Sequence, residues 1–103
     1  MNYRDLRIGN LVKDKNGKII KVAQVTKKKI GYHTDNYRNL HYLKYNEIEG
    51  IRLGDDSFKA ARTFADMLKA RYNLTREIRC LHELQNLNYA IFGCEYADFY
   101  TGN

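Results

Sequence analysis

Hydrophobic and polar positions alternate along the first half of the chain and recur at helical spacing along the second. Arg7-Ile8-Gly9-Asn10-Leu11-Val12 is short and apolar-rich, the pattern of a first strand, and Asp14-Lys15-Asn16-Gly17 follows it. Asn-Gly is a strong hairpin signal, because both turn positions can take positive φ. Residues 18–25 form a β-branched run long enough for a full strand. Lys27-Lys28-Lys29 reads as a second tight turn into Ile30-Gly31-Tyr32-His33, and residues 34–39 are polar and loop-like. Strand rhythm resumes over residues 40–45, with His41, Leu43 and Tyr45 on one face and Tyr42 and Lys44 on the other. Residues 47–53 alternate charged and aliphatic side chains and predict a last short strand. Gly9, Gly31 and Gly50 interrupt the pattern where bulges or sharp bends are expected.

The period then changes. Gly54-Asp55-Asp56-Ser57 supplies a loop and several candidate helix N-caps. Phe58, Ala61, Ala65, Leu68 and Tyr72 share one helical face, with Lys69 and Arg71 near the C-terminal end, where the helix dipole favours cations. Asn73-Leu74-Thr75 breaks the pattern, and Thr75 is placed to cap a second helix along Leu74, Ile78, Leu81, Leu84 or Gln85, Leu87 or Asn88, and Ile91. Gly93 suits the left-handed residue that ends it. Residues 94–103, with Tyr96, Phe99 and Tyr100, form an aromatic tail expected to pack back. Strands followed by helices predict an α+β fold: a small bent antiparallel sheet or SH3-like barrel, then two α-helices. The expected organisation is one domain over residues 1–103, with a basic β region (1–53), a helical region (55–93) and the tail.

Composition narrows the class. The chain has 103 residues, 44% hydrophobic and 29% charged, with no Pro and no Trp, which suits an ordinary globular domain and not a Pro-rich linker. No apolar run approaches the ~18 residues of a membrane span. The first ten residues carry Arg4, Asp5 and Arg7 and do not resemble a signal peptide, so a cytoplasmic setting is expected. Cys80 and Cys94 lack CxxC spacing, so they are expected to be free, buried or half-buried thiols, and no metal or cofactor is expected. A chain this small has little core to spare for a deep cleft, which favours binding over catalysis.

Charge adds the sharpest clue. The net charge of +6 comes wholly from the strand half: residues 1–51 hold eleven Lys or Arg against five Asp or Glu, and residues 52–103 hold seven of each. Lys13, Lys15, Lys18 and Lys21 surround the first hairpin, Lys27, Lys28 and Lys29 the next turn, and Arg38 and Lys44 lie beyond. Tyr32, His33, Tyr37, His41, Tyr42 and Tyr45 interleave with them. Such a sheet offers lysines to phosphates and rings to bases. Lysine reads base edges poorly, so contact would be mainly with the backbone of RNA or DNA. The plainer alternative has lysines guarding strand edges and tyrosines half in the core, and a third reading has the patch meet an acidic protein surface.

Other clusters carry less. His33 and His41 facing one another across a hairpin, with Lys29, Arg38 or Tyr42, would imitate the acid/base pair of a ribonuclease. His82, Gln85 and Asn86 share a helical stripe, either a recognition face or, as expected here, side chains satisfying backbone groups. Phe64 and Met67 lie off the stripe of the first helix, and that surplus apolar face suits a homodimer contact.

Arg7-Ile8-Gly9-Asn10-Leu11-Val12, and His82-Glu83-Leu84-Gln85-Asn86-Leu87 followed by Tyr89-Ala90 and Gly93, resemble a family of small uncharacterised bacteriophage and mobile-element proteins. Members of that family have an RIGN-type strand, a β region and a C-terminal helix reading H-x-L-Q-N-L-x-x-A before Gly. Many carry Gln where this chain has Glu83, and an aromatic pair where it has Asn88-Tyr89. The resemblance implies a phage setting and no catalytic residue. Phage proteins of this size are often binders of host machinery, including inhibitors of CRISPR-type defence nucleases. The expected partner is therefore a host protein or ribonucleoprotein, or RNA or DNA backbone. The rivals are a metal-independent ribonuclease or toxin and a structural phage component.

Overall fold

In the computed structural model, which describes residues 1–34, 39–54 and 58–96, the chain divides into two compact units, residues 1–51 and 52–103. The first opens with a 3-10 turn (Tyr3–Asp5), in which the Asn2 side chain accepts from the Arg4 N–H at 3.1 Å. Arg7-Ile8-Gly9-Asn10 is a turn, not the start of a strand. Gly9 sits at φ 100°, a conformation that only glycine adopts freely. The Asn10 side-chain oxygen accepts from the Arg7 N–H at 2.7 Å. Val22 then bonds the last two residues of the turn, accepting from the Gly9 N–H at 2.8 Å and donating to the Asn10 carbonyl at 2.9 Å.

Five strands follow: β1 (Leu11–Asp14), β2 (Ile19–Val25), β3 (Lys29–His33), β4 (Leu40–Lys44) and β5 (Ile48–Glu49). They form an antiparallel sheet in the order β4-β3-β2-β1-β5. Of the two forms expected, the open bent sheet is the one found: β4 and β5 are its two edges, and no pairing between them closes a barrel among the described residues. The β1–β2 hairpin turns at Asn16-Gly17, but only Gly17 takes positive φ (81°). The Gly17 N–H donates to the Asp14 carbonyl, and Asp14 Oδ1 accepts from the N–H groups of Asn16 and Lys18. This is a type I turn closed by a left-handed glycine. At the second turn the Thr26 hydroxyl accepts from the N–H groups of Lys28 and Lys29 and donates to the Lys29 carbonyl. The expected last strand over residues 47–53 shrinks to Ile48–Glu49: Glu47 belongs to a 3-10 turn (Tyr45–Glu47), and the Arg52 and Leu53 backbone pairs instead with Cys80 and Arg79.

β2 pairs with β3 through an irregular register, Val22 with Tyr32 and then Gln24 with Gly31, leaving Ala23 as the extra residue of a bulge. The core of this unit is Leu6, Val12, Ile20, Val22, Ile30 and Ile48, with Val25, Tyr32, Leu43 and Tyr45 packed against it.

In the second unit, α1 spans Lys59–Arg71 and buries Ala61, Ala65 and Leu68, with Phe58 buried just before it. The capping candidates Asp55, Asp56 and Ser57 lie outside the described residues. Tyr72, expected on the buried stripe, is exposed at the C-cap, and Asn73 follows at φ 53°. α2 spans Leu81–Phe92, so Thr75 does not cap it and Leu74 and Ile78 precede it. The intervening backbone is used elsewhere: the Arg62 guanidinium donates to the Ile78 carbonyl at 2.8 Å, the Leu53 N–H to the Arg79 carbonyl at 3.0 Å, and Arg52 bridges to Cys80. The α2 N-terminus is closed by Glu83, whose carboxylate accepts from the N–H groups of Cys80 (2.8 Å) and Arg79 (3.0 Å). Gly93 ends the helix at φ 72°. Tyr96 stacks on Phe64, ring centroids 4.8 Å apart, while residues 97–103, including Phe99 and Tyr100, lie outside the described residues.

Candidate functional site

Cross-strand pairs share a face, so register sorts the basic and aromatic residues of the sheet. Ile30 pairs with Leu43 and Tyr32 with His41 on the core side. Lys29 pairs with Lys44, Gly31 with Tyr42, and His33 with Leu40 on the outer side. On β1 and β2, Leu11 opposite Lys21 and Lys13 opposite Ile19 also face outward, since Val12 and Ile20 face the core. The bulge at Ala23 brings Gln24 to the outer side as well, opposite Gly31.

The outer face over β2, β3 and β4 therefore carries Lys21, Gln24, Lys29, His33, Tyr42 and Lys44, all exposed. Tyr42 is 48% exposed, and the Lys29 ammonium lies 4.1 Å from its ring centroid, a cation–π contact. Lys29 and Lys44 stand directly opposite one another, an arrangement that like charges disfavour. Of the eight lysines in this unit, Lys13 alone lies within ion-pair distance of a carboxylate among the described residues, 4.0 Å from Glu49. The nearby Glu47 carboxylate accepts instead from the Lys44 backbone N–H at 2.8 Å. The helical unit is the opposite case: Asp66 pairs with Arg62 at 2.6 Å, and Glu77 with Lys69 at 2.5 Å. The Lys69 hydrogen bond and charge hold the Glu77 carboxyl below its ordinary pKa.

The predicted site residues divide accordingly. Lys21, Lys29, Tyr42 and Lys44 come together on the outer face, Lys15 and Lys18 are exposed at the first turn, and Lys27 and Lys28 at the second. Lys13 is half-buried in its ion pair. Tyr32 is half-buried on the core side with its ring tilted against His41 at 5.6 Å, so it is not a platform among the outer lysines. Tyr37 and Arg38 lie outside the described residues. Gln24 was not legible as an outer residue, because simple alternation from Ile20 and Val22 points it inward and only the bulge reverses it.

The proposed acid/base pair does not assemble: His33 on β3 and His41 on β4 lie on adjacent strands but in different cross-strand pairs, His33 with Leu40 on the outer side and His41 with Tyr32 on the core side. Tyr45, also on the core side, donates its hydroxyl to the Thr26 carbonyl, and burial followed by the neighbouring Tyr3 raises its pKa. On α2, His82 and Gln85 of the stripe are buried and Asn86 is half-buried, which favours a structural role, and the buried Asn88 beside them donates to the Cys94 carbonyl at 2.9 Å. Neither cysteine is in a disulfide. Cys80 is half-buried as expected, whereas Cys94 is exposed, because it follows the helix-ending Gly93. Phe64 is covered by Tyr96, which leaves Met67 the exposed apolar residue of the pair. Among the described residues no three His, Cys, Asp or Glu side chains gather to hold a metal ion, and no helix is long and apolar enough to cross a membrane. No protein-family model matches this chain, and neither does any curated protein or solved structure with which it was compared.

Proposed function

We propose that this protein is a non-enzymatic binder of nucleic-acid backbone, acting through the outer face of β2, β3 and β4 and the lysine turn between β2 and β3. The observation that carries this reading is the set of exposed lysines around Tyr42 that have no carboxylate partner among the described residues. Edge protection does not account for it. β2 and β3 are paired on both sides, so Lys21 and Lys29 guard no edge, and only Lys44 lies on an edge strand. Lysines held close together without counter-charges raise the local positive potential and attract polyanions. In the phage setting implied by the resemblance, the nucleic acid would belong to a host nucleoprotein, such as a CRISPR-type defence nuclease.

The test is the salt dependence of binding, followed by fluorescence anisotropy of a labelled single strand. Each phosphate neutralised contributes about −0.7 to the slope of log K against log salt. Lys21→Gln, Lys29→Gln and Lys44→Gln should each flatten that slope by about 0.7, while Lys59→Gln on α1 should leave it unchanged. Absence of binding at low salt, or an affinity indifferent to salt, refutes the proposal.

A further inference from the structure

Resting on that reading, we infer that the outer face takes an unpaired nucleic-acid strand in preference to duplex. Tyr42 would stack on one base, and Lys29 and Lys44 would meet the adjoining phosphates. The ring is nearly half exposed on the edge strand β4, with Lys29 of β3 and Lys44 of its own strand on the same face. Its cross-strand partner is Gly31, so no side chain rises opposite it. The space above Gly31 is floored by Leu40, whose Cδ2 would lie 2.9 Å from a Cβ at that position, and by the stem of Gln24. The result is an apolar floor beside an exposed aromatic ring.

The charges are placed to match. Lys29 holds its ammonium over the Tyr42 ring, and Lys44 follows Tyr42 by two residues on the same face of β4, a step of about 7 Å along a strand. A base on the ring would thus have cations beside it for its phosphates. The Gln24 amide, in the same cross-strand row, offers both a donor and an acceptor to a base edge.

A duplex fits this surface poorly. Its bases are stacked inside, and its major groove admits a helix or a two-stranded ribbon, not the broad face of a sheet. An aromatic residue on an open sheet face can stack only on a base that has been splayed out. Stacking and phosphate contacts are common to both nucleic acids, so the shared chemistry is an unpaired strand of RNA or DNA.

The experiment compares equal-length oligo-dT, oligo-rU, an abasic strand and a duplex at fixed low salt, with wild-type protein, Tyr42→Ala and Tyr42→Leu. Stacking is worth about 1–3 kcal/mol per base, so both substitutions should weaken oligo-dT or oligo-rU by about 5- to 150-fold. Both should leave the abasic strand unchanged, and Tyr42→Phe should retain wild-type affinity. Loss on oligo-dT alone assigns the site to DNA, and on oligo-rU alone to RNA. Circular dichroism checks that each variant is folded. If the wild type holds the abasic strand or the duplex as tightly as the oligonucleotides, or Tyr42→Ala binds all as wild type does, the inference fails while backbone binding stands. If no probe binds, both fail.

Discussion

Gly31→Ala tests how tightly the outer face is packed at β3. The Gly31 backbone does not need the left-handed region, so alanine is not excluded by φ. Space is the obstacle. A Cβ there would meet Leu40 Cδ2 at 2.9 Å, Leu40 Cγ at 3.0 Å and Gln24 Cβ at 3.1 Å. Overpacking of this kind costs about 1–3 kcal/mol, whereas replacing glycine returns about 0.4–1 kcal/mol through the unfolded chain. The net expectation is a loss of about 1–2 kcal/mol, because Leu40 can swing aside but the Gln24 stem is fixed to the neighbouring strand. In a domain of this size each kcal/mol lowers Tm by about 4–8 °C. The assay is thermal and urea unfolding followed by circular dichroism, run as a cycle with Leu40→Ala. Leu40→Ala removes the two closest atoms, so Gly31→Ala should cost at least about 0.5 kcal/mol less in that background. A Gly31→Ala protein as stable as wild type, or costs that simply add, would refute the packing argument.

The remaining predictions concern the first unit's turns and the pH dependence of stability. Asn10→Ala removes a fully buried side-chain oxygen that accepts from Arg7 and should cost about 1–3 kcal/mol in urea unfolding; a cost near zero would show that the RIGN turn holds without it. The raised pKa of Tyr45 means that the folded state holds the phenol proton more tightly than the usual 10.0. Its contribution is complete below pH 10.0 and is lost as pH rises through the raised value. Tyr45→Phe should lose about 0.5–1.5 kcal/mol at neutral pH with the Thr26 hydrogen bond, yet show a flatter alkaline limb. Glu77 runs the other way. Its lowered pKa gives stability that is present above pH 4.5 and is lost as pH falls through the lowered value, so Glu77→Gln should flatten the acid limb. Unfolding midpoints against pH check both, and limbs identical to wild type would contradict the assigned contacts.

Several elements were legible from local signals. The Asn16-Gly17 turn, the strands on either side of the lysine turn and the buried stripe of α1 follow from turn chemistry and period, which depend on neighbours within a few residues. The left-handed Gly93 at the end of α2 does too. Where local pattern misled, a distant partner had taken over the backbone. Arg7-Ile8-Gly9-Asn10 reads as a strand, but Val22 bonds it from the next hairpin and bends it into a turn. Ile78 sits at helical spacing, yet its carbonyl is held by Arg62 and the adjoining backbone by Arg52 and Leu53, so α2 starts only at Leu81.

The candidate site divides the same way. The sequence by itself determined that the positive charge belongs to the strand half and that lysines and aromatic residues alternate there, since charge and composition are properties of the chain. Only the tertiary structure decided which rings stand among the lysines. A side chain's face depends on the parity of its pairing, and one extra residue at Ala23 shifts that parity for Gln24. Alternation along β4 already set Tyr42 and Lys44 apart from Leu43, but only the pairing register brought Lys29 and Gln24 to that face and turned Tyr32 to the core.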